Sequence, residues 1–326
     1  MTYAGLAVDD GWLRTIVARR TIEAEDIVSL ALDPGGPDAL PTFEAGAHIE
    51  IALPNGVIRP YSLCNAPCDV LSYQIAVLLE REGRGGSRAA HELAEGQTLL
   101  VRPPRNFFPL AADGHSLLIA GGIGLTPLLA MAETLAGAGR GFDFHVCARN
   151  RRRAAFAQRL ETAPFAARTH WHFDDGPAEQ KFEVAAVLAS APADARLYVC
   201  GPQGFMDHVL TAARACGWPE SRLHYEYFSA APIVSDGDRA FQLLLARSNR
   251  IIEVPAGVTA AEAMTAAGVE PPLSCEQGVC GTCLLPVLEG LPDHRDHFQS
   301  ATERAANGRF AVCCSRALTP RLTIDF

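Results

Sequence analysis

The stretch SCEQGVCGTC, residues 274–283, carries Cys275, Cys280 and Cys283 in the spacing C-x4-C-x2-C, threaded with Gly278 and Gly281. That is the plant-type arrangement for holding a 2Fe-2S cluster. Each iron takes two thiolates, so one loop wrapped around the cluster can supply three of the four ligands. Gly278 and Gly281 accept positive φ and carry no side chain, which lets the backbone close on the inorganic sulfurs with N–H groups aimed at them. The fourth thiolate is expected from Cys313 in AVCCSRA, with 29 residues between it and Cys283; Cys314 is the adjacent spare. A structural zinc would show two C-x2-C-like pairs, and a disulfide framework belongs to short secreted chains, so neither suits this spacing in 326 residues. A plant-type centre works at about −400 mV, within reach of a reduced flavin.

Working outward, a strand at 241–246 pairs with 251–254 across 247–250, and a short helix near 260–267 precedes the cluster loop. This makes a ferredoxin-sized α+β module over 239–326. Residues 230–238, with Ala230, Ala231, Pro232, Ser235, Asp236 and Gly237, have linker chemistry. Upstream, strand 117–120, a glycine turn and helix 127–136 are followed by strand 142–147, helix 154–161, strand 197–200 and helix 204–216. That alternation predicts a doubly wound parallel sheet over 111–229. Residues 12–101 instead show short alternating apolar runs at 48–53, 71–79 and 97–101, parted by turn residues, as in an antiparallel β-barrel over 1–110. Size alone calls for two or three domains.

Two phosphate-binding signals fall in the first two blocks. Arg59-Pro60-Tyr61-Ser62-Leu63 precedes Gly83-Arg84-Gly85-Gly86-Ser87 and a helix expected over 88–93. Free N–H groups at Gly85 and Gly86, the Ser87 hydroxyl and a helix start suit a flavin phosphate, with Arg59 adding charge. Tyr61 supplies an aromatic plane for the isoalloxazine, and Ser62 a hydroxyl for its reactive nitrogen. In the second block, Gly121-Gly122-Ile123-Gly124-Leu125-Thr126-Pro127 sits between an apolar strand and an apolar helix, where phosphate binding requires it. Cys200-Gly201-Pro202 brings a thiol and a glycine turn to the carboxyl edge of the same sheet, the ligand edge of open α/β folds. Cys200 there can pack against a nicotinamide ring, and a buried structural cysteine has the same sequence appearance.

The motifs RPYSL, GRGGS, GGIGLTP, CGPQGFM, LHYEYF, CEQGVCGTC and CCSRA occur in one order along nearly the whole chain. In this the chain resembles the phthalate dioxygenase reductase and vanillate O-demethylase reductase family of flavin iron–sulfur reductases. The resemblance implies an FMN-binding β-barrel, an α/β NAD(P)-binding domain and a C-terminal α+β ferredoxin-like (β-grasp) domain. It implies that Arg59, Tyr61 and Ser62 contact the flavin, that Gly85, Gly86 and Ser87 hold its phosphate, and that Thr126 lies between the cofactors. Glu226 and Phe228 are expected beside the flavin. The segment Ala76, Val77 and Leu78 is expected there too, with Leu78 where family members often carry lysine. The catalytic group on this reading is Ser62, Thr126, Cys200, Glu226 and Phe228, acting by position and electronic tuning. Electrons would pass from NADH to FMN as a pair and leave through the 2Fe-2S cluster singly, to a Rieske-type oxygenase. Other acceptors, such as a diiron hydroxylase or a quaternary-amine monooxygenase, remain open from sequence, although reductases for diiron enzymes commonly place ferredoxin first. The final substrate is equally open among aromatic acids, methoxylated aromatics and quaternary amines.

A net charge of −9 disfavours nucleic acid and suits a partner with a positive patch. The start MTYAGLAVDDGWLRT lacks a basic, apolar leader pattern, and with the thiol-rich motif it predicts a cytoplasmic chain; no membrane span is expected, and the chain is read as a monomer. Arg149, Arg151, Arg152 and Arg153 follow the second strand of the sheet, where a 2′-phosphate can sit, so NADPH stays open beside NADH. His170, His172, Asp174 and Asp175 read as solvent-facing residues at a strand end, and Asp293-His294-Arg295-Asp296-His297 as a charged surface loop or a docking segment. Cys64, Cys68, Cys147 and Cys216 lack cluster spacing.

Overall fold

A computed structural model describes residues 11–69, 71–83, 85–228 and 237–326. The chain divides into two units, Met1–Phe228 and Ser229–Phe326. The leader reading on 1–10, the linker residues 230–236 and Arg84 lie outside the described residues.

In the first unit, β1 (Leu13–Ala24), β2 (Ile27–Pro34), β3 (Ala47–Ala52), β4 (Ile58–Ser62), β5 (Tyr73–Leu78) and β6 (Thr98–Val101) pair antiparallel in the order β4-β3-β6-β1-β2-β5, with the short β7 (Arg105–Asn106) on β3. A bridge between Leu63 and Ile75 brings the end of β4 against β5 and closes the sheet on itself. The interior is filled by Val17, Leu30, Ile49, Ile51, Ile75 and Leu99, the inward half of each alternation. Helix α1 (Gly86–His91) lies over β5, where His91 Nε2 is 2.9 Å from Val77 O.

The same unit continues into a parallel sheet, β10-β9-β8-β11-β12, built from β8 (Ser116–Gly121), β9 (Phe142–Ala148), β10 (Thr169–Phe173), β11 (Arg196–Gly201) and β12 (Leu223–Tyr227). All six residues of β8 are buried, as expected of a central strand covered on both faces. The crossovers carry α2 (Leu125–Gly137), α3 (Ala157–Thr162), α4 (Val184–Ser190) and α5 (Gln203–Ala215). Strand order reverses between β8 and β11, and the GGIG turn and Cys200 stand at that switch point. The helix expected over 154–161 begins only at Ala157. Arg151–Arg153 form a 3-10 turn, and Phe156, anchored in the core at 3% exposure, takes φ +56° and interrupts it.

One apolar cluster joins barrel residues Ile27, Ala45, Cys64, Ala76 and Phe108 to sheet and helix residues Leu118, Leu128, Met131 and Cys200. Polar contacts reinforce it: Arg153 reaches Asp26 at 3.0 Å, and Arg159 donates to Gln74 at 2.9 Å while also holding Glu133. The two folds of this unit therefore share a core.

The second unit is a mixed sheet, β14-β13-β19-β15-β17, of β13 (Phe241–Leu245), β14 (Arg250–Val254), β15 (Leu284–Glu289), β17 (Arg309–Ala311) and β19 (Arg321–Ile324), with the small ladder β16 (Pro292–Asp293) and β18 (Arg316–Ala317) beside it. Helix α6 (Ala260–Ala266) starts with a capping box between Thr259 and Glu262 and buries Met264 against Phe241 and Phe310; α7 (Ala301–Ala306) has the matching box between Ser300 and Glu303. The sheet gripping α6 is the β-grasp architecture. Asp238 departs from its reading as linker: its side chain is 3% exposed and bonded to Arg295 within this unit. A carboxylate that close to two buried arginines is held by the fold, whatever its neighbours' composition.

Candidate functional site

β4 delivers Arg59, Tyr61 and Ser62 to one edge of the barrel. Gly85, with φ +86°, turns the chain into α1, and Asn55 Nδ2 donates to Gly85 O at 3.3 Å. A Cβ on Gly86 would lie 2.9 Å from Arg59 Cγ, so a bare glycine lets the arginine lie along the turn. The RPYS and GRGGS motifs thus meet. The Ser87 hydroxyl accepts from Glu80 N at 2.9 Å and closes the intervening loop. Burial pushes the Tyr61 phenol up to about 12. Ala76 and Leu78 pack with the shared apolar cluster, whereas Val77 faces the barrel interior.

Leu63 N donates to Ala47 O at 2.9 Å, so His48 and Ser62 form a non-hydrogen-bonded pair with adjacent side chains. Ser62 in turn hydrogen-bonds Glu226, which pairs with Cys200 across β11 and β12. This one chain of neighbours links the barrel to the carboxyl edge of the sheet. Burial raises the Glu226 carboxyl to about 8, the Ser62 bond opposing it, and burial with the Glu226 charge holds the Cys200 thiol well above its ordinary value. Both shifts favour the protonated, neutral forms of these two groups. Glu226 Oε2 and His48 Nε2 are buried without a partner among the described residues. His48 was missed by sequence reasoning, because nothing local marks a strand histidine as the neighbour of Ser62.

At the switch point the glycines have distinct uses. A Cβ on Gly124 would fall 2.2 Å from Cys200 O, and one on Gly121 or Gly201 would meet the Phe205 ring at 2.7 or 2.9 Å. Gly122 takes φ +55° with nothing within 4 Å of its absent Cβ, so the turn presents an open face. Thr126 is buried and donates to Ile123 O at 3.1 Å, fastening the turn. Pro202 precedes α5, and Phe228 packs half-buried on the shared cluster. Phe205 stood within CGPQGFM, yet only the packing shows its ring spanning both strand ends.

The solvent-facing reading holds for His170, Asp174 and Asp175, which are exposed, and is corrected for His172, which is half-buried. His170 and His172 stack with His145 at 4.7 and 5.2 Å, His145 Nδ1 is 3.0 Å from His172 Nε2, and Phe182 backs the row. Adjacent strands place these rings side by side, since His170 and His145 are register partners. Burial, then the charges of His170 and His172, lowers His145 to about 4.

In the second unit all four expected ligand thiols are buried. Cys283 Sγ is 3.2 Å from Cys313 Sγ, and the Cys275 thiol bonds Cys280, which that bond holds down at about 5. No three metal-binding side chains converge among the described residues. Two pairs of thiols fit a two-iron cluster, which needs two thiolates on each metal, better than a single ion. Gly278 and Gly281 have φ of +71° and +70°; a Cβ would lie 2.5 Å from Cys314 Sγ at the first and 2.6 Å from Phe298 at the second. Cys314 is half-buried, with Ser315 Oγ at 3.9 Å. The segment 293–297 is no solvated loop: Asp296 is 1% exposed and His297 N donates to Gly278 O at 2.8 Å.

Residues 244–318 match the family model of the 2Fe-2S iron-sulfur cluster binding domain. The chain is 46% identical over 315 residues to vanillate O-demethylase oxidoreductase of Pseudomonas sp. (strain HR199 / DSM 7063), covering 96% of this chain and 99% of that one. It is 35% identical to the solved phthalate dioxygenase reductase, with a TM-score of 0.75 and coverage of 98% and 99%. The chain belongs to this family of reductases. A type IV self-sufficient cytochrome P450 monooxygenase carries the same architecture at TM-score 0.85 and 36% identity, over 97% of this chain and 41% of that one. The chain is an NAD(P)H-dependent flavin iron–sulfur oxidoreductase and the reductase component of an oxygenase system. Its cofactors are FMN, NADH and a 2Fe-2S cluster, to which the paired thiols and the open GGIG turn are suited. When bound, the flavin and cluster would supply conversion of the electron pair of one hydride into two single electrons.

Proposed function

We propose that the acceptor is a Rieske-type oxygenase and that Cys275 with Cys280 holds one iron while Cys283 with Cys313 holds the other. The thiol pairing supports the iron assignment, and the Ser62–Glu226 bond supports a cleft in which the flavin strand lies beside Cys200 and the nucleotide turn. Arg59, Gly85 and Gly86 would hold the flavin phosphate, Tyr61 its ring, and Ser62, Thr126, Cys200, Glu226 and Phe228 the place where nicotinamide meets flavin. Ser87 would support the loop through Glu80. One-electron output matches a one-electron Rieske centre, and a monomeric, cytoplasmic chain suits a reductase that must meet its partner repeatedly. Among the described residues no helix is long and apolar enough to cross a membrane.

NADH is the preferred nucleotide on this reading. Asp174 and Asp175 cap β10 at the ligand edge, their N–H groups bonded to Ala148 O and Arg149 O at 3.2 Å. A carboxylate there favours a ribose 2′-hydroxyl and repels a 2′-phosphate. Arg151 and Arg153 are engaged by Glu161 and by Asp26. The test is an anaerobic titration with NADH and, separately, NADPH, following flavin absorbance and the reduced cluster by electron paramagnetic resonance. NADH should bleach the flavin and raise a rhombic 2Fe-2S signal at far lower concentration than NADPH; failure of both nucleotides would sink the reading.

A further inference from the structure

The apolar cluster shared by the barrel and the parallel sheet is non-directional, so it holds the two folds together without fixing how they are turned against each other. Arg159 adds a directional contact across that seam. From α3 its Nε and Nη2 donate to Glu133 Oε1 on α2 at 2.9 and 2.5 Å, and its Nη1 donates to Gln74 Oε1 on β5 at 2.9 Å. The two charged side chains are 30% and 18% exposed, and burial raises the Glu133 carboxyl against the pull of the guanidinium. A planar guanidinium held through its nitrogens on two elements fixes an angle as well as a distance, which a lysine ammonium does not.

Both ends of this clamp lead to the cleft. Gln74 O accepts from Cys64 N at 2.8 Å and from Cys64 Sγ at 3.3 Å, and Cys64 lies two residues beyond Ser62. Along its own strand Gln74 stands two residues before Ala76. Glu133 is about two turns along α2 from Thr126, whose hydroxyl fastens the GGIG turn. The arginine is aimed by a strained neighbour: Phe156, just before α3, takes φ +56° with its ring buried, and the Arg159 guanidinium lies 5.6 Å from the centroid of that ring. A non-glycine residue in the left-handed region persists only where its surroundings hold it there. Beside the clamp the seam opens into a polar crevice of about 780 Å³ lined by Arg19, Glu23, Arg151 and Arg152, so packing does not replace the clamp at that place. With Arg159 removed, the Arg153–Asp26 pair at the β1–β2 corner remains as a pivot.

We propose that Arg159 is a positioning residue for hydride transfer: it sets the angle between the flavin strands and the nucleotide turn, and it acts through Gln74. This rests on the reading above, in which nicotinamide meets flavin in the cleft of Ser62, Cys200 and Glu226. Hydride transfer requires the two reacting atoms close and aligned, and small displacements slow it steeply. Loss of the clamp should therefore lower the limiting rate and spare the affinity for both cofactors, because no group assigned to either cofactor has changed.

The experiment follows flavin bleaching by saturating NADH in anaerobic stopped flow, using full-length holoprotein of wild type, Arg159→Met, Arg159→Lys and Gln74→Leu. The limiting rate should fall by about tenfold or more in Arg159→Met and in Gln74→Leu, with no further loss in the double variant. Arg159→Lys, which keeps the charge without the planar fork, should lose several-fold. NADH affinity and flavin content should stay within about twofold of wild type. NADH deuterated at the transferred position should slow the variants further, which places the loss in the hydride step. Gln74→Leu alters one half-buried strand residue and carries the test should Arg159→Met fold poorly. An unchanged limiting rate in either folded variant, even with a lowered melting temperature, overturns the proposal; so do additive losses in the double variant or a vanished isotope effect. Ser62→Ala, in the cleft itself, separates the two readings: if its limiting rate is unchanged, the cleft assignment fails rather than the clamp.

Discussion

On the proposed reading, the thiol loop and the flavin–nicotinamide cleft solve the same problem, holding a redox group, in opposite ways. The loop takes three of its four expected ligands from nine consecutive residues, 275–283, and its glycines have positive φ as the local spacing requires. The cleft gathers Arg59, Ser62, Gly122, Cys200 and Glu226 from a span of more than 160 residues, and each depends on a sheet register for its place. A metal cluster binds through a few strong, short bonds that a loop can satisfy. A flavin ring binds through many weak contacts over a large area, which only packed domains can present.

If that contrast is right, single changes in the loop should be all-or-none. Cys313→Ser should abolish the 2Fe-2S signal while NADH still bleaches the flavin, and Cys314→Ser should keep both, read by paramagnetic resonance and iron content. The reverse pattern would move the fourth ligand to Cys314. In the cleft, the largest effect is steric: Gly124→Val puts side-chain atoms into Cys200 O, 2.2 Å from the absent Cβ. The loss should be about 3 kcal/mol or more of first-unit stability, with NADH affinity falling in the same variant, measured by thermal melts and titration.

Smaller effects come from protons. Glu226 is raised from 4.5 to about 8, so the folded state binds its proton more tightly than the unfolded state. The stability this lends is full below pH 4.5 and is lost as pH rises through 8, about 5 kcal/mol at most. Glu226→Gln should flatten that alkaline decline in melting temperature and change flavin reduction at pH 7 only a few-fold; a steep loss at pH 7 would mean the carboxyl's charge is needed. His145 runs the other way. With its value lowered from 6.5 to about 4, stability is full above pH 6.5 and declines as pH falls toward 4, by up to about 3 kcal/mol. Melts at pH 7 and 5 should differ more for wild type than for His145→Asn.

Legibility followed the same divide. Motifs whose residues act within a few positions of one another, such as CEQGVCGTC and GGIG, were readable because their chemistry needs a particular backbone shape. The helix at 154–161 failed at Phe156, where a buried ring outweighed helical propensity. Of the β10 histidines, His170 is exposed as read, whereas His172 is half-buried against His145, a neighbour the sequence does not display. Asp238 looked like linker by its neighbours' composition, and the two arginines that bury it stand 57 and 78 residues away.

What the sequence determined by itself was the identity and order of three modules and the thiol spacing of one site, since periodicity, turn residues and ligand spacing are local properties of a chain. Only the tertiary structure decided that Ser62 meets Glu226, that the thiols pair as 275 with 280 and 283 with 313, and that Asp238 is clamped. Those contacts join residues distant in sequence, and their energies come from burial and the loss of water, which exist only once the chain has packed.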